Sequence, residues 1–454
     1  MEERPRTTSW ALAIILLGYL LTAGLYAWKT PRWQAPDEPA HYNYIVALAE
    51  TGESPVLRAG DYPADYLEEI KARKFPPSMS VAPLRYEFYQ PPLFYTLGAL
   101  VYRATGRWGP DIQFLALRLL SVLLGLLLLT VTYQIVRTLF PGDYVLALAT
   151  TTFVGTLPMH TAMMAAINPD TLAELWIALT LWLLLRRTDE RKRLRTWLAV
   201  GLVLGLGLLT KITVLVAVAV VPVALWLRSR ERSAPARVAG GGGSVWRRVL
   251  GGLVVVWGVA ALIVAPWLVR NALVYGQKDI LGWSRHNAVV VGQPRTADWL
   301  ARFGTQDTLR RFAVTTFHSF WGQFGWMGVP MSARAYDLLF ALSILAIVGC
   351  GLYLLDIGEM PPVNRPPQLM AGLVTLGLTL LLTIFLYLAY NLTYVQHQGR
   401  YLFPALVPIG VFFSLGLREM IAPRRWSLLA GLWVLGLFAL DIYSLFGFIL
   451  PQLR

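Results

Sequence analysis

Two acidic motifs and a few cations are the residues of this chain best suited to chemistry. Pro36-Asp37-Glu38-Pro39-Ala40-His41 places two carboxyls and an imidazole within six residues. A carboxylate at a membrane interface serves as a general base when it lies within hydrogen-bond reach of the hydroxyl it deprotonates. The same spelling suits helix capping, with Asp37 as N-cap and Glu38 and Pro39 in the first turn, where acids and proline are favoured. The two uses are compatible, because a cap also orients the acid. Asn168-Pro169-Asp170 offers the same pair of readings: Asp170 caps the helix beginning at Thr171, or it is a second acid. Glu174 follows one turn later inside an apolar run, where ionisable groups usually face a cavity or a partner.

Three cations complement these acids. Lys211 is either a snorkelling interface lysine or a point-charge partner for a phosphate. Arg270, in Trp267-Leu268-Val269-Arg270-Asn271, is an interface anchor or a bidentate phosphate ligand. Arg400 lies in Gln396-His397-Gln398-Gly399-Arg400-Tyr401, which is either a polar loop or part of the same phosphate site. Together the cations suit a lipid-linked phosphate. The segment 317–330, with His318, Trp321, Gln323 and Trp326, is dense in aromatics and glycines; a membrane-interface belt accounts for it, as does a platform for a sugar or isoprenoid chain. His41, Gln90 and Gln398 complete the candidate substrate pocket. There is no HExxH, Walker loop or EF-hand pattern. The sequence requires no cofactor and leaves a divalent metal among the acids and histidines open. The lone Cys350 excludes a disulfide framework and a cysteine-based metal site.

The elements that must position these residues are membrane spans. Of 454 residues, 56% are hydrophobic and 15% charged, which excludes a soluble globular protein. The apolar residues come in blocks of about 20, the length a helix needs to cross the hydrocarbon. The expected fold is an all-α polytopic bundle of about eleven transmembrane helices, near 10–28, 113–138, 143–158, 171–187, 196–210, 212–228, 249–269, 336–355, 368–389, 401–420 and 426–448. The first block, Trp10 to Trp28, follows a basic start without a small-residue cleavage site and reads as a retained span. With the amino terminus cytoplasmic, the basic clusters at 186–195, 228–248 and 418–425 fall inside, as the positive-inside rule requires, and the carboxyl terminus falls outside. Much of the net charge of +14 then encodes orientation rather than nucleic-acid binding. Gly240 to Gly243 read as a flexible linker.

That topology collects the candidate residues on the outer side, in loops 29–112 and 270–335 and at span ends. Loops of that length in a compact unit are usually functional. The first is expected to carry an interfacial helix over Pro39 to Thr51, an amphipathic piece over Asp65 to Lys74, and an interfacial or re-entrant helix over Pro92 to Thr105. Residues 1–275 form one module with this loop, and 276–454 form a second.

The chain resembles the GT-C superfamily of membrane glycosyltransferases, in particular protein O-mannosyltransferases and aminoarabinose transferases and their bacterial predicted-membrane-protein branch. The likeness rests on Pro36-Asp37-Glu38-Pro39-Ala40-His41, Gln90-Pro91-Pro92-Leu93-Phe94-Tyr95, Asn168-Pro169-Asp170, Leu209-Thr210-Lys211, Trp321-Gly322-Gln323-Phe324-Gly325-Trp326 and Gln398-Gly399-Arg400-Tyr401, in the family's order. It implies an enzyme of the plasma (inner) membrane that passes a sugar, with inversion, from a polyprenyl-phosphate donor to an acceptor protein, glycan or lipid on the extracytoplasmic side. Asp37 then matches the first-loop catalytic acid, supported by Glu38 and His41, and Asp170 the second-loop acid, with Lys211 and Arg270 on the donor phosphate. Several relatives carry an acidic-basic pair immediately before the Pro-Pro, where this chain has Tyr89-Gln90; Arg85 and Glu87 are the nearest charged substitutes. Two other classes fit the composition: a transporter or flippase of a lipid-linked sugar, and a non-catalytic subunit of a membrane complex.

Overall fold

The structure, a computed structural model, describes residues 5–187, 189–238, 245–361 and 366–453; the glycine run at 240–243 lies outside the described residues. The chain is an all-α polytopic membrane protein. Among the described residues, eight helical segments are long and apolar enough to cross a membrane: Ser9–Lys29, Pro110–Leu139, Ile212–Arg230, Val245–Tyr275, Ala333–Glu359, Gln368–Asn391, Gly399–Glu419 and Pro423–Leu453. The other three expected spans are also helices, but shorter. They cover Tyr144–Thr156, Asp170–Leu185 and Arg193–Leu208; at about 1.5 Å per residue none reaches 30 Å alone.

In chain order the helices that position the site are α1 (Pro5–Lys29), α2 (Glu38–Thr51), α3 (Ala64–Ala72), α4 (Leu93–Thr105), α5 (Pro110–Leu139), α6 (Tyr144–Thr156), α7 (Pro158–Met164), α8 (Asp170–Leu185), α9 (Arg193–Leu208), α10 (Leu215–Val238) and α11 (Val245–Tyr275). They are followed by α12 (Trp283–Val289), α13 (Thr296–Trp321), α14 (Ala333–Glu359), α15 (Pro367–Asn391), α16 (Leu406–Glu419) and α17 (Pro423–Tyr443). The three helices expected in the first long loop are α2, α3 and α4. Each is too short to span, and their fit into the fold is tight: α2 packs on α4 so closely that a Cβ on Gly98 would sit 2.6 Å from Ile45 Cδ1. A two-stranded hairpin, Gln323–Phe324 paired with Val329–Pro330, follows α13.

One buried apolar cluster runs through the bundle from Tyr19 to Leu453. A second, smaller one lies under the first loop and joins Ala40, Leu67, Ile70, Phe75, Leu84, Tyr86 and Val290. Many leucines and isoleucines of α1, α11, α14 and α17 point outward, Leu262 and Leu273 among the most exposed. Contiguous apolar surface of this kind is expected of helices solvated by lipid rather than by water. Helix contacts inside the bundle are close where glycine allows it: a Cβ on Gly416 would fall 1.8 Å from the Ala346 carbonyl oxygen across the α14–α16 contact.

Candidate active site

The foundation is a buried ion pair. Glu38 opens α2, and its side chain is fully buried. Arg118 of α5, 2% exposed, donates through Nε to Oε1 at 2.8 Å and through Nη2 to Oε2 at 2.7 Å. The Trp33 amide also donates to Oε2, at 3.0 Å, and the Ile167 amide to Oε1, at 3.2 Å. The guanidinium in turn donates to the main-chain carbonyls of Ala27, Thr30 and Pro31. A charge pair this deep is tolerable because nearly every lone pair and N–H of it is used. One carboxylate thus ties the end of α1, the 33–38 turn, α5 and the 165–168 turn together. The first of those turns carries Asp37, and the second leads into Asp170. Glu38, grouped with the catalytic acids and expected to support Asp37, has the geometry of a positioning group alone, since its side chain is fully buried and both oxygens are bonded.

Asp37 occupies the N-cap position of α2 but makes no capping bond with its side chain, and its backbone is left-handed, φ 67°. For a non-glycine residue this conformation costs about 1–3 kcal/mol and persists only where the surroundings enforce it. The bonds of Glu38 supply that enforcement. The Asp37 carboxyl, one third exposed, is turned away from the helix: Tyr86 donates to Oδ1 at 3.0 Å and Arg400 Nη2 to Oδ2 at 3.1 Å. Burial pushes the Asp37 carboxyl up, but Arg400, His41 and the bonds from Arg400 and Tyr86 outweigh it and hold it below the ordinary carboxylate value. Tyr86 is anchored in the small loop core. Burial and the Asp37 charge keep its phenol protonated and donating.

Arg400 lies in a tight helical turn, Gly399–Ala405. Its Nε donates to Gln398 Oε1 at 2.7 Å, and its Nη1 faces the Met163 sulfur at 3.9 Å. Gly399 makes the placement possible, since a Cβ there would collide with Thr316 O at 2.3 Å and Phe320 N at 2.4 Å. Asp170 is the first residue of α8 and again makes no cap bond; Asn168 Oδ1 closes the turn by accepting from the Asp170 amide. Asp170 instead pairs with Lys211 at 2.7 Å. Both capping readings of the acids are therefore replaced by ion pairs with cations from distant helices.

His41 and Glu87 lie in the same electrostatic neighbourhood as these pairs. His41 is buried, with Nδ1 2.9 Å from the Tyr95 hydroxyl; burial lowers its pKa against the opposing pull of Glu87 and Asp37. Gln90 donates to Glu87 Oε2 at 2.9 Å and to the Tyr89 hydroxyl at 3.2 Å. Burial raises the Glu87 pKa, with His41, Asp37 and Lys211 the next strongest influences. Of the two charged residues near the Tyr89-Gln90 departure, Glu87 joins the cluster, while the Arg85 guanidinium is exposed and donates to the Ala82 carbonyl.

The remaining sequence candidates are placed elsewhere. Arg270 donates to the Ser54 and Pro55 carbonyls and stacks on Trp267 and Tyr275. Trp321 is buried against Phe153, Phe320 and Phe413. His318 stacks on Tyr336. Gln323 donates to the Met327 carbonyl, and Trp326 donates to the Trp33 carbonyl at 2.8 Å and packs on Phe75. The hairpin thus braces the turn that carries Asp37. Beside that turn is an apolar crevice lined by Pro36, Met159, Met163, Phe324, Ile449 and Leu453. Among the described residues no group of three or more His, Cys, Asp or Glu is arranged to hold a metal ion.

Arg118 and Tyr86 were not singled out in the sequence. Arg118 had a readable signal: it is a lone charge well inside an apolar run, where ionisable groups seek a partner. Tyr86 had none.

Residues 90–243 match the family model for dolichyl-phosphate-mannose-protein mannosyltransferase, less than half of the chain. No curated protein matches. Among solved structures the chain is similar to ArnT from Cupriavidus metallidurans in the apo state, at 15% identity, covering 95% of this chain and 63% of that one with a TM-score of 0.55. It is similar to the same protein bound to undecaprenyl phosphate at 16% identity, 96% and 63% coverage and a TM-score of 0.51. AglB, the archaeal oligosaccharyltransferase from Archaeoglobus fulgidus, in complex with an inhibitory peptide and a dolichol-phosphate, is similar at 13% identity, 96% and 55% coverage and a TM-score of 0.54. The chain thus spans less than two thirds of the length of these proteins. At such identities the likeness is one of fold, and the resemblance to GT-C glycosyltransferases holds at that level.

Proposed function

We propose that the protein is an inverting glycosyltransferase that moves a sugar from a polyprenyl-phosphate donor to an acceptor on the extracytoplasmic side of the membrane. The observation that carries this reading is the convergence of the Asp37–Arg400 and Asp170–Lys211 pairs at the turns tied by Glu38. The undecaprenyl phosphate and dolichol-phosphate of similarly folded proteins support the donor class.

The chemistry runs as a single displacement. The acceptor oxygen attacks the anomeric carbon as Asp37 takes its proton; the carbon–oxygen bond to phosphate breaks, and the phosphate leaves with the electron pair. Positive charge grows on the sugar and negative charge on the leaving oxygen. Arg400, whose Nη1 faces the Met163 sulfur, and Lys211, with ammonium protons beyond the one given to Asp170, meet the negative charge. One displacement inverts the anomeric centre.

The test is incubation of purified protein with labelled polyprenyl-phosphate sugars and acceptor extracts. Wild type is expected to transfer label, and Asp37→Asn and Lys211→Ala to lose it. Full-rate transfer by Asp37→Asn overturns the base assignment, and no turnover with any donor overturns the transferase reading.

A further inference from the structure

The charges of the site do not balance. Arg400 is matched by Asp37 and Lys211 by Asp170. The third carboxyl, Glu87, is half-buried and held by the neutral amide of Gln90 on Oε2; no cation forms an ion pair with it among the described residues. Asp37 and His41 of α2, Tyr86 and Tyr89 of its own loop, Tyr95 of α4, Lys211 before α10, Tyr390 of α15 and Tyr401 face it electrostatically. The tyrosines are neutral, and His41 is buried with Nδ1 at the Tyr95 hydroxyl. With Glu87 ionised, three carboxylates therefore confront two cations before any ligand arrives. A phosphodiester adds a further negative charge to a partly desolvated pocket.

We propose that Glu87 takes up a proton from solvent when a prenyl phosphodiester binds, so that occupancy of the donor site is proton-linked. This rests on the phosphate-site reading above. The step is an acid–base equilibrium: the Glu87 carboxylate gains one proton, its charge is cancelled, and a repelling oxygen becomes an O–H donor beside the phosphate. Two observations make Glu87 the group that responds. It is the carboxyl of the cluster without an ion-pair partner among the described residues, and burial raises its pKa against the weaker pull of His41 and Lys211, whereas Asp37 is held down by Arg400. The linkage sign follows. The protonated form binds the anion better, so affinity is full at low pH and declines as pH rises above the free-state pKa, by up to about tenfold per unit for one proton.

The experiment measures binding of farnesyl methyl phosphate to the full-length protein in detergent by titration calorimetry, from about pH 5.5 to 8.5. This probe is a phosphodiester with one constant charge over that range, so its own titration contributes nothing. Repeating the titration in buffers of different ionisation enthalpy counts protons directly. Wild type is expected to lose affinity with rising pH and to absorb up to one proton per ligand. Glu87→Gln, the neutral isostere of the protonated acid, is expected to bind with no pH slope, to absorb no proton, and to exceed wild type at pH 8.5. Wild-type binding without slope or proton uptake overturns the inference and leaves the phosphate reading standing. A slope that survives Glu87→Gln and disappears in His41→Gln also overturns it, by assigning the proton to the imidazole. Absence of wild-type binding at every pH overturns both readings. The wild-type proton count stands even if a variant fails to fold.

Discussion

Asp37 and Glu38 are neighbours in sequence with opposite fates, and the difference is accessibility. Glu38 spends both oxygens on Arg118 and two main-chain amides, whereas Asp37 remains one third exposed with oxygens held by Tyr86 and Arg400. Asp37→Asn is therefore expected to lower kcat by about 10²–10⁴-fold, the usual contribution of a positioned base, with little change in thermal midpoint. Glu38→Ala leaves a buried guanidinium unpaired and is expected to destabilise by about 3–5 kcal/mol, read by thermal unfolding in detergent. A joint Glu38→Gln and Arg118→Met replacement should cost less than the sum of the single changes, because it removes both charges. Asp37 must be ionised to accept a proton, and its folded pKa is depressed. Its activity limb therefore lies at acid pH, below the ordinary carboxylate range: kcat/KM shows no loss from Asp37 as pH falls from neutrality towards that range and declines only at more acid pH, a limb that Asp37→Asn removes. The two acidic motifs were legible as candidates from residue type and spacing alone. Their partners were not, because Arg400 is 363 positions from Asp37 and no local pattern encodes that pairing.

At the scale of elements, the span positions were readable because hydropathy blocks report them directly, and the three helices of the first loop appeared from short apolar periodicities. What escaped was which acids would cap. A cap requires the side chain to turn back onto its own helix, and here tertiary cations compete for the carboxylates of Asp37 and Asp170. The aromatic segment 317–330 was read by composition as either belt or platform; Trp321 instead packs into the core, while Trp326 props the Asp37 turn. The Gly399 turn makes the sharpest prediction here. A methyl group at 399 must push the turn off α13 and carry Arg400 with it, so Gly399→Ala is expected to weaken prenyl phosphodiester binding at least as much as it lowers thermal stability. Calorimetry paired with a melting curve checks this. At Gly416, where the same change would separate α14 from α16, the expected cost is stability, about 1–3 kcal/mol.

Across the whole molecule, the arrangement of charges carries an orientation that labelling can read. With the native Cys350 replaced by alanine, a cysteine at exposed Glu53 is expected to react with a membrane-impermeant maleimide added to intact cells, and one at exposed Arg191 only after lysis. The reverse pattern would put the candidate site on the cytoplasmic face. The long sequence separation of the Asp37–Arg400 pair has a further consequence, in the time domain. At about 5–20 residues per second of synthesis, some 20–70 s pass between the two residues leaving the ribosome. For that interval the first helices and the turn that carries Asp37 can already be inserted, yet the carboxylate has no guanidinium beside it. The surroundings of Asp37 are thus completed only when the segment bearing Arg400 arrives, so that the arrangement of the candidate site is timed by the synthesis of that late segment rather than by the insertion of the first helices.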